Sequence, residues 1–269
     1  MSGLKASVWN VCDSLGLAPL LRKGYVSMRA APRGWRRRAT VGSIDAEFLT
    51  TEWIEYQRVR TFNGERHVLA AVLEDLTGHE VVWNVGANVG LYACFVARRL
   101  TTGEVVAFEP VPANETRLRR NLRANGDPAR WRTTTTALSD RDETTQLATT
   151  HSDARRAKPG AGHHYLSDTD GWLTVEARRG DTLVESGWPR PDLLMIDVQG
   201  AELKVLRGLG EALDGVEVVY AELHTEKTGR YGTTADGVEE FLREAGYAVE
   251  NLGEPSTDRR GVYFVRAAR

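Results

Sequence analysis

Glu80-Val-Val-Trp-Asn-Val-Gly-Ala-Asn-Val-Gly90, continued by Leu91-Tyr-Ala-Cys-Phe-Val-Ala-Arg-Arg-Leu100, is the stretch that decides the fold. Val81, Val82 and Trp83 form a short run of β-formers, the pattern of a strand buried on both faces. Gly86 and Gly90 bracket a tight turn, and apolar residues return at helical spacing at Val89, Cys94, Phe95, Ala97 and Leu100. Asn88 is the expected N-cap of that helix. A strand, a glycine turn and a helix start let bare backbone approach a ligand closely.

Outward from this unit, Gly103-Glu-Val-Val-Ala-Phe-Glu109-Pro110 reads as a second buried strand ending in a carboxylate. An acid at the tip of the second strand of a βαβ unit is placed to accept both hydroxyls of a ribose. Dinucleotide binding needs G-x-G-x-x-G, whereas Gly86-Ala-Asn-Val-Gly90 lacks the middle glycine. The looser loop suits a cofactor with a ribose but no pyrophosphate, which points to S-adenosylmethionine.

A chain of 269 residues can bury a full core as one α/β domain with an appendage. Its net charge of −2 gives no global attraction to nucleic acid or anionic membrane. Cys12 and Cys94 form no disulfide framework, no apolar run is long enough to span a bilayer, and the N-terminus lacks a signal-peptide core. A cytoplasmic location is the expectation. Residues 4–30 read as two short helices, the second (Leu17–Met28) broken at Pro19 and Gly24. Arg29, Arg33, Arg36, Arg37 and Arg38 around Trp35 read as a solvated connector, with a patch for an anionic substrate or for peripheral contact to lipid headgroups as the alternative. Residues 39–50 predict a hairpin, and Glu52–Arg60 and Gly64–Leu76 predict helices. Residues 1–75 thus form an expected helical and hairpin cap, and residues 76–269 the cofactor-binding domain.

Beyond Glu109, the pattern predicts a helix over Ala113–Asn125, a third strand over Trp131–Leu138, and a pair of insertion strands near Tyr165 and at Trp172–Ala177. His151, His163 and His164 lack metal-ligand spacing and cysteine partners, so no zinc site is assigned. Pro191-Asp-Leu-Leu-Met-Ile-Asp197-Val-Gln199-Gly200-Ala-Glu202 is the second decisive stretch, a buried strand with Asp197 at its tip and a helix after Gly200. Ligands of open parallel sheets sit beyond the carboxyl ends of the strands, where strand order reverses. Asp197 and the Gly86 loop should therefore flank one cleft, joined by His224 at the end of a strand over Val216–Leu223. A helix over Thr234–Gly246 and a closing hairpin complete a seven-stranded, mostly parallel sheet with one reversed strand.

Val85-Gly-Ala-Asn-Val-Gly90, Ala107-Phe-Glu-Pro110, Ala137-Leu-Ser-Asp140 and Ile196-Asp-Val-Gln-Gly-Ala-Glu202 together resemble the FkbM family of S-adenosylmethionine-dependent methyltransferases, over about residues 60–224. The resemblance implies a class I methyltransferase fold with strand order 3-2-1-4-5-7-6 and O-methylation of a sugar, polyketide or similar hydroxyl. It implies that Gly86, Asn88 and Gly90 hold the methionine part of the cofactor, Glu109 its ribose, and Asp140 the adenine edge, with Asp197 at the methyl-transfer site. Two positions depart from the family pattern. Asn84 stands where an acid is usual, and Gln199 replaces the glutamate of Asp-x-Glu-Gly. Asn84 can still accept a hydrogen bond from the cofactor's amino group, without charge.

The expected reaction is in-line attack of a substrate oxygen on the sulfonium methyl, with donor and acceptor aligned by the protein. Asp197 and His224 are the candidate bases, with Glu202 and Glu222 behind them. A divalent cation on Asp197 and substrate oxygens fits hard-ligand chemistry but is not required. The expected partner is a small molecule or glycan, not nucleic acid, because only residues 29–38 are strongly basic. A nicotinamide oxidoreductase is disfavoured by the missing glycine. A silent cofactor-binding module, motivated by Asn84 and Gln199, is the alternative.

Overall fold

A computed structural model describes residues 18–149, 164–167, 169, 171–255 and 259–269. The first helix expected before residue 17, and with it Cys12, lies outside these residues, as do His151 and His163.

Helix α1 (Ala18–Ala30) runs unbroken through Gly24. Proline is tolerated in a helix's first turn, so Pro19 starts this helix and does not break it. A mid-helix glycine costs only about 1 kcal/mol. Packing offsets that cost: Val26 and Ala30 bury against Tyr56, and Tyr25 meets Trp53 and Tyr56 edge-on at 5.7 and 5.6 Å.

Strands β1 (Arg36–Val41) and β2 (Ile44–Leu49) form the expected hairpin, and they absorb three of the clustered arginines. Those residues form a strand instead of a connector, with Arg36 and Arg38 still exposed. Arg36 pairs with Glu47 across the hairpin at 2.6 Å, and the Arg37 guanidinium lies 4.7 Å from the Tyr56 ring centre. Helices α2 (Trp53–Thr61) and α3 (Arg66–Asp75) follow. Glu55 accepts from the backbone N–H of Glu52 at 3.0 Å, the capping-box contact that starts α2.

The next elements are β3 (Val81–Val85), α4 (Leu91–Arg99), β4 (Glu104–Phe108), α5 (Pro112–Asn125) and β5 (Trp131–Thr134). After them come β6 (Ala137–Leu138), β7 (Glu143–Thr149), β8 (His164–Ser167), β9 (Leu173–Arg178) and α6 (Gly180–Glu185). The chain closes with β10 (Leu193–Ile196), α7 (Glu202–Gly208), β11 (Val218–His224), α8 (Ala235–Glu244), β12 (Ala248–Gly253) and β13 (Val262–Ala268).

The main sheet has the order β5-β4-β3-β10-β11-β13-β12, parallel except for β13. Numbered by chain order within the sheet this is 3-2-1-4-5-7-6, as expected. From β3 the chain steps outward to β4 and β5, then returns to β10 on the other side. The switch point therefore lies between the ends of β3 and β10.

Alternation along the strands sorts side chains to two faces. Val82, Met195 and Tyr220 join the apolar layer under α3, α4 and α5, whereas Trp83, Ile196 and Ala221 join the layer under α7 and α8. Asn84, Asp197, Glu222 and His224 follow by the same parity, and all project toward the α3 side.

The expected third strand is two strands. Thr136 N–H bonds to the Thr134 hydroxyl at 3.1 Å, turning the chain after β5. β6 then enters a second sheet, ordered β6-β9-β7-β8. The insertion strands do not pair with each other, because β7 lies between β8 and β9 and pairs with both.

Candidate active site

The β3–α4 loop is built by close backbone approach. A Cβ on Gly86 (φ +83°) would lie 1.9 Å from the Asp197 carbonyl oxygen, so the loop meets the end of β10 only because residue 86 is glycine. The N–H groups of Gly86 and Ala87 bond to the Phe108 carbonyl at 3.0 and 2.9 Å. Asn88 is not the N-cap of α4. It sits at φ +51° in the turn, a conformation asparagine tolerates, and Gly90 (φ +89°) holds the cap position.

Glu109 follows β4 and binds the same loop. Its Oε2 accepts from the Asn88 N–H at 2.8 Å, and its Oε1 accepts from the Val111 N–H at 3.0 Å and the Asn114 amide at 3.3 Å. A carboxylate has about four acceptor positions, so roughly one remains open. Glu109 can therefore accept from one ribose hydroxyl in this arrangement, not both. Burial pushes its carboxyl up to about 7, against the pull of these hydrogen bonds.

Glu109, Gly86, Asn88 and Asp197 line one cleft of about 300 Å³, floored by Val85 and Phe108 and walled by Leu138, Leu147 and Leu166. Asp197 is thus where the sequence placed it. A recess of about 50 Å³ adjoins the cleft on the α3 side, lined by Glu65, Asn84, Tyr92, Asp197 and Glu222 among others.

His224 and Glu202, two of the three predicted catalytic groups, line neither space. His224 is 1 % exposed, with Nε2 2.8 Å from Glu222 and Nδ1 3.4 Å from Glu202. Burial favours its neutral form, but the two glutamates outweigh burial and raise it to about 9. An imidazolium at neutral pH cannot take a proton, which argues against His224 as the general base. Glu202 is fully buried and accepts from the Gly200 N–H at 2.9 Å, at the start of α7. Asp140 also lies outside the cleft. Gly208 on α7 lets the Ser139 carbonyl come so near that a Cβ would sit 1.9 Å from it, and Asp140 is left 3.6 Å from Lys204.

Of the three predicted catalytic groups, Asp197 is the one that lines the cleft. Burial and the neighbouring Glu222 raise its carboxyl to about 6, restrained by His224, Arg259 and a 2.7 Å hydrogen bond from the Gln199 amide. Gln199, itself at φ +60°, accepts in turn from Lys227 at 2.5 Å.

The residues missed by sequence reasoning come from distant segments. Arg58 reaches the cleft from α2, Asn63 and Glu65 from the turn between α2 and α3, His164 and Tyr165 from β8, and Arg259 from the chain before β13. No local spacing marks them. Glu65 alone carried a hint, as an acid directly after Gly64 at a helix start.

The family model for the methyltransferase FkbM domain matches residues 84–249. The chain belongs to the FkbM methyltransferase family. It is 33 % identical over 216 residues to the hexuronic acid methyltransferase AglP of Haloferax volcanii, covering 79 % of this chain and 82 % of that one. The 31-O-demethyl-FK506 methyltransferase FkbM of Streptomyces tacrolimicus is 28 % identical over 222 residues, 72 % of this chain and 83 % of the relative. The 2-O-methyltransferase NoeI of Sinorhizobium fredii is 29 % identical over 154 residues, 53 % of this chain and 62 % of its own length. A solved FkbM methyltransferase from Methylobacillus flagellatus superposes with a TM-score of 0.51 at 12 % identity, over 80 % of this chain and 53 % of that chain. The sheet is thus the class I methyltransferase sheet, and the protein is an enzyme of the transferase class.

In this FkbM-family site, Asp197, Glu222 and His224 each offer one ligand atom within 4.8 Å of the others. All three are already engaged, by Gln199, by Arg259 and by the histidine–glutamate contact itself. Among the described residues no helix is long and apolar enough to cross a membrane.

Proposed function

We propose that the protein is an S-adenosylmethionine-dependent O-methyltransferase acting on a hydroxyl of a sugar or glycan, or of a related metabolite. One observation carries this reading: the Gly86 loop, Glu109 and Asp197 line a single cleft at the β3–β10 switch point. The residues fit the cofactor. The glycine cradle brings backbone within reach of a ligand, Glu109 keeps an acceptor position for a ribose hydroxyl, and Asn84 Oδ1 is a buried acceptor with no partner. The relatives named for a hexuronic acid, for a 2-O position and for a 31-O position favour an oxygen acceptor, and the first favours a saccharide.

S-adenosylmethionine, when bound, supplies a methyl group activated by its sulfonium sulfur. The chain's own groups do the remaining work. The cleft aligns the acceptor oxygen, an effect that can account for a large part of the barrier. Asp197, ionised above about pH 6, takes the hydroxyl proton as the oxygen–carbon bond forms. Gln199 orients that carboxylate, and His224, fixed between two glutamates, supplies positive charge behind it.

Calorimetric titration with S-adenosylmethionine and with NADH tests the cofactor, and transfer of labelled methyl to uronic-acid-containing and neutral saccharides tests the reaction. Binding of S-adenosylmethionine with label in an alkali-stable ether is expected. Tighter binding of NADH would overturn the class. Cofactor binding without transfer to any saccharide, polyketide or glycolipid extract would favour a silent binding module.

A further inference from the structure

We propose that Glu65, on the turn leading into α3, is the carboxylate that receives the ammonium group of the cofactor's methionine portion, taking over the charge that Asn84 lacks. The inference rests on the S-adenosylmethionine reading above and concerns the recess beside the main cleft. By strand parity Asn84 projects toward α3, and its Oδ1 is buried with no hydrogen-bond partner. A buried acceptor without a donor is costly, so a donor arriving from the ligand is the natural complement. Glu65 is 6 % exposed and lines both the cleft and this recess. An ammonium offers three donors and no acceptor, which suits walls made of carboxylate and amide oxygens.

The surrounding charges explain why position 84 is not an acid. Glu222 also faces the recess, and Arg259 bridges Glu65 and Glu222. A further carboxylate at position 84 would stand beside two already held by one guanidinium. Burial and Glu222 raise the Glu65 carboxyl to about 8, with Arg259 pulling the other way. The family pattern's first-strand charge has therefore moved across the recess, from the tip of β3 to the cap that covers it.

The test compares two ligands on the full chain. S-adenosylmethionine carries the ammonium, whereas 5′-methylthioadenosine has the same nucleoside and sulfur without the amino acid. By calorimetry, Glu65→Gln should weaken S-adenosylmethionine about tenfold to a hundredfold, as for a lost charged hydrogen bond. Methylthioadenosine affinity should stay within about twofold. Adding Asn84→Asp to Glu65→Gln should recover most of the loss, and should help far less in the wild type, where Glu65 is present. Equal losses for both ligands, or no loss for S-adenosylmethionine, would overturn the assignment. So would a failed rescue. If Glu65→Gln does not fold, Glu65→Asp keeps the charge with a shorter reach, and the same contrast between ligands decides. Wild-type protein that binds neither ligand would instead overturn the cofactor reading, and this assignment with it.

Discussion

Asp197 and His224 stand at the ends of two neighbouring strands, β10 and β11, and yet have opposite protonation. Both follow apolar strand residues, and both project to the α3 side. One is a carboxyl held near 6 by burial, the other an imidazole held near 9 by two glutamates. Asp197→Asn is expected to abolish methyl transfer while leaving S-adenosylmethionine affinity within a few-fold, because the lost interaction belongs to the transition state. Single-turnover transfer and calorimetry on the same preparation check this; a comparable loss in both would make Asp197 a binding residue. The pH–rate profile should have an acidic limb near pH 6, falling as Asp197 gains its proton. Positive charge on His224 lowers the Asp197 carboxyl. His224→Gln should therefore move the limb to higher pH without removing it, whereas a limb that vanished would make the histidine the titrating base. Sequence reading brought Asp197 and Glu109 to one cleft because strand tips in a βαβ unit project to one edge. It could not separate His224 from the cleft, since parity along β11 says which face a side chain takes, not which neighbours enclose it.

At the scale of elements, the β1–β2 hairpin is clipped to helix α5 by two asparagines whose role no sequence pattern announces. Asn125 looked like a helix terminator before Gly126. Its Oδ1 accepts from the Glu47 N–H at 2.8 Å and its amide donates to the Glu47 carbonyl at 2.7 Å, completing the open edge of β2. Asn121 accepts from the Leu49 N–H at 2.9 Å and donates to the Val89 carbonyl at 2.8 Å, reaching the active-site loop. Asn125→Ala leaves both groups of Glu47 without these partners, which should cost about 1–3 kcal/mol. Urea unfolding measures it, and a change below about 0.5 kcal/mol would show that water replaces the amide. The hairpin itself was legible from alternation in residues 39–50. The second sheet was not, because its strands β6, β7, β8 and β9 pair out of chain order and Trp131–Leu138 reads as one continuous strand. A threonine-rich run has strand propensity throughout, and only the Thr134–Thr136 side-chain turn divides it.

Over the whole molecule, the buried ionisable groups set how stability depends on pH. Burial raises Glu55, Glu65 and Glu109 from 4.5 to about 7, 8 and 7, and Asp197 from 3.8 to about 6. Glu202 and Glu222 raise His224 from 6.5 to about 9 against the opposing effect of burial. In each case the folded chain holds its proton more tightly than the unfolded chain. The stability these groups contribute is thus fully present below their unfolded values and is lost as pH rises through the folded ones. Glu222 runs the other way. Burial alone would raise it, but His224 and Arg259 bring it down to about 2, so its contribution is present above about 4.5 and disappears on acidification. The raised carboxyls begin to lose their contribution as soon as the unfolded chain ionises, so the two trends cross at about pH 4 to 4.5. Thermal melts of the ligand-free protein should therefore show the highest Tm near that crossing, with a decline from about pH 4.5 to about pH 9. A Tm that rose over that upper range would mean that these carboxyls are ionised in the folded chain at little cost. Repeating the series with S-adenosylmethionine locates the effect. An ammonium beside Glu65 favours its ionised form, so the alkaline decline should be shallower with the cofactor than without it, and Glu65→Gln should abolish that difference.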